Sequence, residues 1–562
     1  IIAVVVILVL IGIKMVCDEK ARRKRMREFL INSWGKSADR NYSEEQWNAI
    51  VSYYKALEKK AEESQKHEFV DDITWNDLDM DEVYQVWNHT RTSIGEEYLY
   101  AALRRPIASD TEMEERERVI TYLLENTQER MYLQEALAEI GKLERMSVYD
   151  HLELIQDMKP IGALPHILAG VCLVGALIGC AFAPEFMVIA SIAIMGGNII
   201  SYYQAKAKVD SYIRLFTFIL HMVEQCEGVA RKKIPGLEKY QDQLKKQTSC
   251  FGKYRRFCFL VNGGSGMSGD IMDSLMDYIR ILFHVDLVKM STMIREAKKY
   301  EQQLRIMYDT IGYLDTMLST ASCRIMYGEY CVPQLSHQAN GKFAVTEMYH
   351  PLIPEGVRNS ITAERSVLLT GSNASGKSTF IKTVALNAIL AQTLHTVLAE
   401  NYQASWFCIA SSMALRDDIL SQESYYIVEI RSLKRILDLT RLSELPVLCF
   451  IDEVLRGTNT VERIAASSRI LQAIAEQGGL CFAATHDIEL TYLLEKEYDN
   501  YHFEEQVEDD KVTFDYCLHE GRACTRNAIR LLKMLGYDEK IVDDANERVA
   551  LFLKSGNWVS SH

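Results

Sequence analysis

Long uncharged runs interrupt an otherwise polar, helix-prone pattern in the first part of the chain. Residues 1–13 read IIAVVVILVLIGI and contain no charged residue, and a second apolar run occupies residues 161–200. Seventeen helical residues extend roughly 25 Å, which is near the lower limit for crossing a bilayer. The pattern therefore predicts an N-terminal membrane anchor at residues 1–17 and a second membrane region at residues 161–204.

The charges that follow the first run predict its orientation. A cleaved signal peptide is the alternative, but the basic region of a signal peptide precedes its apolar core. Here the basic residues come after the apolar run: Lys20, Arg22, Arg23, Lys24, Arg25 and Arg27. Positive charge on this side predicts that the downstream chain is cytoplasmic.

The second run is divided near its middle by Ala183-Pro184, and only His166 and Glu185 interrupt its apolar character. Two apolar blocks of nearly twenty residues each favour a helical hairpin that crosses the membrane twice. A hairpin returns the chain to its starting side, so the rest of the protein stays cytoplasmic. The alternative is a buried hairpin in the core of a soluble helical domain.

Apolar residues at helical spacing predict long packed helices on both sides of the hairpin, at residues 18–160 and 205–335. From about Gly341 onward, short apolar runs alternate with helical stretches, which is typical of an α/β domain. The predicted fold class is thus α plus α/β. The α/β domain is expected at residues 336–548 and a tail at 549–562.

Composition narrows the class of protein only slightly. The chain has 562 residues, of which 48% are hydrophobic and 25% charged, so general disorder is excluded. The net charge of −14 means that any contact with nucleic acid is local. The thirteen cysteines form no C-x-x-C pair, which excludes a zinc ribbon and a thioredoxin motif and favours reduced thiols.

One basic segment with interleaved aromatic residues, at 231–257, leaves three interpretations open. It could contact a phosphate backbone, lie on an anionic membrane surface near the hairpin, or form an ordinary solvated helix face.

The stretch TGSNASGKST at residues 370–379 carries the clearest chemistry. It fits G-x4-G-K-[ST] and lies between a strand-like run and a helix-like one. Backbone N–H groups of such a loop converge on phosphates, and the N-terminus of the next helix adds partial positive charge. Lys377 is expected to neutralise the β- and γ-phosphates, and the Ser378 hydroxyl to complete a Mg²⁺ shell. The predicted ATP-binding residues are Gly371, Ser372, Asn373, Ala374, Ser375, Gly376, Lys377, Ser378 and Thr379.

Two later strands end in polar residues that suit ATP hydrolysis. PVLCFIDE, at 446–453, ends in Asp452, a predicted Mg²⁺ ligand, and Glu453, predicted to polarise the attacking water. GLCFAATHD, at 479–487, supplies His486, which is predicted to contact the γ-phosphate. A histidine at such a position is more often structural, but the series as a whole favours a catalytic role. Lys377, Glu453 and His486 are the predicted catalytic residues.

The motifs together resemble those of the MutS family of DNA mismatch repair ATPases, which are of the ABC type. The resemblance rests on TGSNASGKST, SYYIVEIRSLKRIL (424–437), FIDEVLRGTNTVE (450–462) and ATHDIEL (484–490). It continues in GRACTRNAIRLLKMLGYDEKIVDDA (521–545) and, upstream, in residues 74–107, which resemble the start of the family's helical core and lever region. The resemblance implies a C-terminal P-loop ATPase domain of ABC type that uses ATP and Mg²⁺.

It also implies a homodimer in which the signature segment of one subunit closes the ATP site of the other. Ser424 matches the signature residue, and GTNT at 457–460 matches the loop that signals between the two sites. The neighbourhood Ser421-Gln422-Glu423-Ser424 differs from the family, which commonly has glycine at the second position. No Phe-x-Glu wedge occurs before residue 74, so we expect a membrane-anchored member without the mismatch-reading domain.

The leading hypothesis is a multi-pass membrane ATPase, with its helical and ATPase domains in the cytoplasm, that couples dimer closure to binding of mismatched or branched DNA. Membrane lipid and a protein partner are further expected contacts. The alternative is a membrane ABC-type ATPase that acts on a protein partner or in transport. Transporters usually carry an LSGGQ-like signature about twenty residues before the acidic strand, and residues 427–446 contain none. A scaffold with a degenerate nucleotide site is disfavoured because the motif residues are intact.

Overall fold

The computed structural model describes residues 2–37, 40–63, 69–143, 145–158, 162–207, 210–256, 271–338, 341–372, 375–413, 425–455, 459–508, 511–523, 529, 532 and 536–555. The described residues are largely helical, and their β-strands all lie in the C-terminal part of the chain. This agrees with the predicted change from a helical to an α/β pattern.

The described helices, in chain order, are α1 Ile2–Ser33, α2 Glu44–Glu63, α3 Asp72–Asp77, α4 Met80–Trp87, α5 Ser93–Arg104, α6 Asp110–Glu125, α7 Thr127–Ile140, α8 Val148–Leu154, α9 Ala163–Gly179, α10 Pro184–Lys206, α11 Asp210–Arg231, α12 Glu238–Thr248, α13 Gly252–Arg255, α14 Ile271–Phe283, α15 Val285–Lys299, α16 Glu301–Tyr327, α17 Lys377–Thr393, α18 Tyr425–Leu442, α19 Thr460–Glu476, α20 Ile488–Leu493 and α21 Glu539–Ser555.

The chain divides into two compact units that each combine several segments. The helical unit comprises Ile1–Lys66, Gln85–Ala102 and Glu115–Met326, and the sheet unit comprises His67–Tyr84, Leu103–Glu114 and Tyr327–His562. Nothing in the helical pattern of residues 18–160 indicates that 67–84 and 103–114 belong with the sheet unit. The domain boundaries given above therefore stay predictions.

The core of the helical unit is built around α16. Its buried side chains recur every three or four residues and include Leu304, Met307, Ile311, Leu314 and Leu318. Side chains at that spacing share one face of a helix, and here they join a continuous apolar cluster with residues of α6, α7, α11 and α15. Burial of this face, rather than helix propensity, holds the helices together.

The predicted hairpin forms two helices, α9 and α10, which pack against each other. Pro184 is the first residue of α10, where its missing N–H costs nothing and its fixed φ suits a helix start. Large apolar side chains on and between these helices are exposed, among them Leu164, Phe182 and Phe186. Among the described residues, Pro184–Lys206 is the single helix long and apolar enough to cross a membrane, whereas Ala163–Gly179 is apolar but shorter. Length and composition alone support one spanning helix, so the two-span hairpin stays a prediction.

Within the predicted anchor at residues 1–17, the described residues 2–17 form the first half of α1, which continues without a break through the basic cluster to Ser33. Its role as an anchor likewise stays a prediction.

The described residues of the sheet unit form two sheets. Their strands are β1 Gln334–Ser336, β2 Phe343–Met348, β3 Asn359–Ala363, β4 Ser366–Thr370, β5 Asn401–Ser405, β6 Cys408–Ser412, β7 Val447–Asp452, β8 Leu480–Ala484, β9 Tyr498–Glu508 and β10 Lys511–Glu520. The smaller sheet has the order β1-β5-β2-β3, and the larger has the order β10-β9-β4-β8-β7-β6. In the larger sheet only β10 runs antiparallel to its neighbour.

The central strands of the larger sheet are almost entirely apolar and buried, as expected for parallel strands covered on both faces. Leu369 of β4 and Asp452 of β7 both pair with Ala484 of β8. The carboxyl ends of these three strands therefore meet at one edge of the sheet, where polar side chains can converge.

Candidate nucleotide site

The loop between β4 and α17 has backbone angles that require glycine at two positions. Gly371 has a φ of 147° and Gly376 a φ of 105°, a region that residues with a Cβ rarely adopt. A Cβ on Gly371 would also lie 2.8 Å from the carbonyl oxygen of Phe503. α17 begins directly after this loop at Lys377, so the positive end of its dipole faces the loop.

Lys377 is held against the backbone of this loop. Its side chain is almost completely buried, and Nζ donates hydrogen bonds to the carbonyl oxygens of Gly371 at 2.8 Å and Ser372 at 2.7 Å. These contacts fix a cationic group beside the backbone N–H groups at the start of α17. Such an arrangement suits a bound anion rich in oxygen atoms, as a polyphosphate is.

Ser378 and Asp452 meet across the strand edge. The Ser378 hydroxyl donates a hydrogen bond of 2.5 Å to Oδ2 of Asp452. The other carboxylate oxygen, Oδ1, is buried and has no hydrogen-bond partner among the described residues. Because an unpaired buried carboxylate oxygen is costly, this atom is well suited to a cation or a water in its shell.

The donor set fits Mg²⁺ in particular. Mg²⁺ is usually bound by one or two protein oxygen ligands together with phosphate oxygens and waters. The described residues contain no group of three or more His, Cys, Asp or Glu side chains arranged to hold a metal ion. Ser378 and Asp452 would thus hold the ion jointly with a bound phosphate.

Glu453 and His486 form the second pair at this edge. Nε2 of His486 lies 2.9 Å from Oε1 of Glu453. Glu453 has a φ of 54°, and its backbone N–H donates to the carbonyl oxygen of Ala484 at 2.9 Å. A left-handed backbone is unfavourable for a residue with a Cβ, and such residues cluster at functional sites. Here it directs the chain out of β7 immediately after Asp452.

Comparison with known proteins points to one family. The MutS domain V family matches residues 367–552, which include the loop and both polar pairs. The DNA mismatch repair protein MutS of Streptococcus sanguinis is 25% identical over 516 residues, or 83% of this chain. Residues 367–552 belong to the MutS domain V family, and most of the chain is similar to MutS proteins.

The chain is also similar to MutS proteins of other organisms. The DNA mismatch repair protein MutS of Thermotoga petrophila is 24% identical over 83% of this chain and 62% of its own length. That of Natronomonas pharaonis is 30% identical over 42% of this chain and 28% of its own length. This chain spans 59% of the length of the Streptococcus sanguinis MutS.

Within MutS domain V the remaining predicted residues are distributed as follows. Ser375 is buried, and its hydroxyl has no hydrogen-bond partner among the described residues. Thr379 is exposed in the first turn of α17. Asn373, Ala374 and Ser424 lie outside the described residues, as do Gly457 and Thr458 of the GTNT segment.

Three hydrogen-bonded contacts around this site were not predicted from the sequence. Arg463 of α19 forms two hydrogen bonds, of 2.6 and 2.9 Å, with the carboxylate of Asp487, the residue after His486. Asn459 caps the N-terminus of α19 by accepting a 3.0 Å hydrogen bond from the N–H of Val461. The Glu429 carboxylate accepts a short hydrogen bond from the N–H of Leu455 and so ties α18 to the turn after Glu453. Arg463 lies close in sequence to GTNT, and Asp487 lies within ATHD. Asn459 lies within GTNT itself and Glu429 within SYYIVEIRSLKRIL, so the motifs were the available signal.

Proposed function

We propose that this protein binds ATP with Mg²⁺ at the edge formed by β4, β7 and β8, and hydrolyses it to ADP and phosphate. The observation that carries the proposal is the convergence of Lys377, the Ser378–Asp452 pair and the Glu453–His486 pair at this edge. The resemblance of the motifs to those of MutS ATPases supports the same activity.

Each side chain has a distinct role in the proposal. Lys377 and the loop N–H groups bind the β- and γ-phosphates, and Ser378 and Asp452 hold Mg²⁺, which neutralises charge that develops on the phosphates. Glu453 accepts a proton from, or orients, the attacking water, and His486 fixes the Glu453 carboxylate through its 2.9 Å contact. Mutagenesis separates these roles because loss of Lys377 affects binding, whereas loss of Glu453 affects turnover.

The first test is Lys377→Ala in the full-length chain. We expect ATP binding and hydrolysis to be lost while the thermal unfolding midpoint stays near the wild-type value. Lys434→Ala is the control, since Lys434 is an exposed lysine of α18 paired with Asp438. Unchanged turnover in Lys377→Ala, or an equal loss in Lys434→Ala, would contradict the assignment.

We also propose that ATP closes a homodimer that engages mismatched or branched DNA. The support is that the relatives are DNA mismatch repair proteins by name, together with the likeness of the signature and GTNT segments to those of the family. The same names lend no support to the alternative of a transport ATPase. Binding to homoduplex, mismatched and branched DNA over a salt series tests this part. Absence of binding even at low salt would redirect attention to a protein partner.

The last part of the proposal is that α1 and the α9–α10 hairpin attach the protein to a membrane. The other helices and the ATPase domain then lie in the cytoplasm. It is supported by the apolar run at residues 1–13, by the length and composition of α10 and by the exposed apolar side chains of the hairpin. Alkaline extraction of membranes from expressing cells is the test. Recovery of the protein in the soluble fraction would contradict it.

A further inference from the structure

An open groove of about 920 Å³ runs along one side of α9 in the helical unit. Its apolar wall is formed by Ile167, Val171, Val174 and Ile178, which lie three or four residues apart and therefore share one face of the helix. Phe283, at the end of α14, also lines the groove. The volume is in the range of roughly 300–1,000 Å³ that is typical of small-molecule sites.

The wall near the α14–α15 turn is held rigidly. The Asn198 side-chain amide donates to the carbonyl oxygens of Ala169 at 3.2 Å and Leu282 at 2.8 Å, which links α10 to both α9 and α14. His284 contacts the carbonyl oxygen of Asn198 through Nε2 at 2.9 Å. A Cβ on Gly170 would lie 3.2 Å from the Phe283 carbonyl oxygen, so the glycine permits this close approach. The groove is thus part of the folded structure.

Cationic side chains line the same groove. Lys253 and Arg256, at the end of the basic segment 231–257, and Lys289 of α15 are lining residues, whereas none of the described lining residues is acidic. Lys289 donates hydrogen bonds to the carbonyl oxygens of Lys253 at 3.0 Å and Tyr254 at 2.6 Å. Tyr254 is itself fully buried and donates to the Phe216 carbonyl oxygen at 3.0 Å. These bonds fix the backbone that carries Lys253 and Arg256.

An apolar wall next to cationic side chains matches an amphiphile with an apolar chain and an anionic head. The neighbouring helix α10 is the described helix that is long and apolar enough to span a bilayer, so phospholipid is the amphiphile to which the groove would be exposed. We propose that the groove binds an anionic phospholipid, with an acyl chain along α9 and the phosphate group at Lys253 and Arg256. The proposal rests on the membrane placement given under Proposed function and is independent of the ATPase.

The contribution of Lys253 and Arg256 to lipid binding is tested with the whole chain in mild detergent without nucleotide. Native mass spectrometry measures retention of phosphatidylglycerol and of phosphatidylcholine with the same acyl chains. The wild-type protein should retain phosphatidylglycerol preferentially, and Lys253→Gln/Arg256→Gln should weaken that retention roughly tenfold or more. Lys245→Gln/Lys246→Gln is the matched control, because it removes the same charge from exposed positions of the same segment outside the groove.

The contribution of the apolar wall along α9 is tested with the variant Gly175→Leu. A Cβ at Gly175 meets no atom within 4 Å, so leucine there fills the groove without displacing the fold. We expect loss of phosphatidylglycerol retention, whereas Gly196→Leu on α10, which also meets no atom within 4 Å and does not line the groove, should retain it.

Three outcomes would overturn the proposal: equal retention of the two lipids by the wild-type protein, equal losses in the two charge-removing double variants, or full retention by Gly175→Leu. Displacement of bound lipid by an acidic peptide but not by added phosphatidylglycerol would assign the groove to a protein partner instead. Because lipid retention is measured in detergent, its failure is distinguishable from failure of membrane extraction.

Discussion

The two carboxylate oxygens of Asp452 differ in their hydrogen bonding, and this difference bears on cation binding. One of its oxygens accepts a hydrogen bond from Ser378, and the other is buried without a hydrogen-bond partner among the described residues. A buried carboxylate oxygen is normally paired, because its desolvation is otherwise uncompensated. A bound cation would supply the compensation.

Asp452→Asn should therefore raise the Mg²⁺ concentration that ATP hydrolysis requires and lower the rate roughly 100-fold, the equivalent of losing about 3 kcal/mol of charge stabilisation. The measurement is steady-state phosphate release over a Mg²⁺ titration. Asp438→Asn, at a partly exposed position of α18, is the control. A normal Mg²⁺ titration curve for Asp452→Asn would remove this residue from the site.

His89, in the helical unit, titrates in a way that affects stability. Its ring is buried and Nδ1 lies 2.7 Å from the Ser322 hydroxyl. Burial, with smaller contributions from the charges of Arg40 and Arg91, lowers the pKa of His89 to about 4 from its ordinary value of 6.5. The folded state thus favours the neutral ring, so the stability linked to His89 is present above pH 6.5 and is lost as the pH falls toward 4.

Between pH 7 and pH 4.5 this linkage should cost about 2 kcal/mol of unfolding free energy. His89→Gln, which cannot be protonated, should lose less stability than the wild-type protein over the same interval. Thermal unfolding of both proteins in detergent at the two pH values measures the difference. Parallel losses would show that His89 is protonated in the folded state.

At the scale of single elements, α19 connects the family's GTNT segment to the histidine turn. Asn459 caps this helix, and Arg463, one turn later, pairs with Asp487 beside His486. The position of the α19 N-terminus therefore affects the position of His486.

Asn459→Ala should destabilise the start of α19 by about 1 kcal/mol, the usual cost of losing such a cap. Hydrogen exchange in the first turn of α19 should become faster. Asn459→Asp, which retains the capping oxygen, should exchange like the wild-type protein. No change in Asn459→Ala would mean that the Arg463–Asp487 pair alone holds this turn.

The elements around the site were predictable where the local pattern and the packing agree. The apolar runs before Gly371, Glu453 and His486 form the buried strands β4, β7 and β8, because a short strand covered on both faces is apolar at consecutive positions. The pattern could not predict the smaller sheet, whose strands are short and joined by long connections. Nor could it predict the Arg463–Asp487 pair, which depends on how α19 packs.

At the scale of the whole molecule, the proposed homodimer requires that one chain supply only part of each ATP site. The loop and both polar pairs come from one chain, and the resemblance implies that Ser424 of a second copy completes the site. Nucleotide state and dimer closure would then be linked equilibria, since a ligand shared by two subunits stabilises their association.

The most direct test of this account is sedimentation velocity of Glu453→Gln in detergent with Mg²⁺ and ATP. Glu453→Gln should bind ATP without hydrolysing it and sediment as a long-lived dimer. It should sediment as a monomer without nucleotide, and the double variant Lys377→Ala/Glu453→Gln should stay monomeric under both conditions. A Glu453→Gln chain that hydrolyses ATP normally, or that binds ATP yet remains strictly monomeric, would contradict the account.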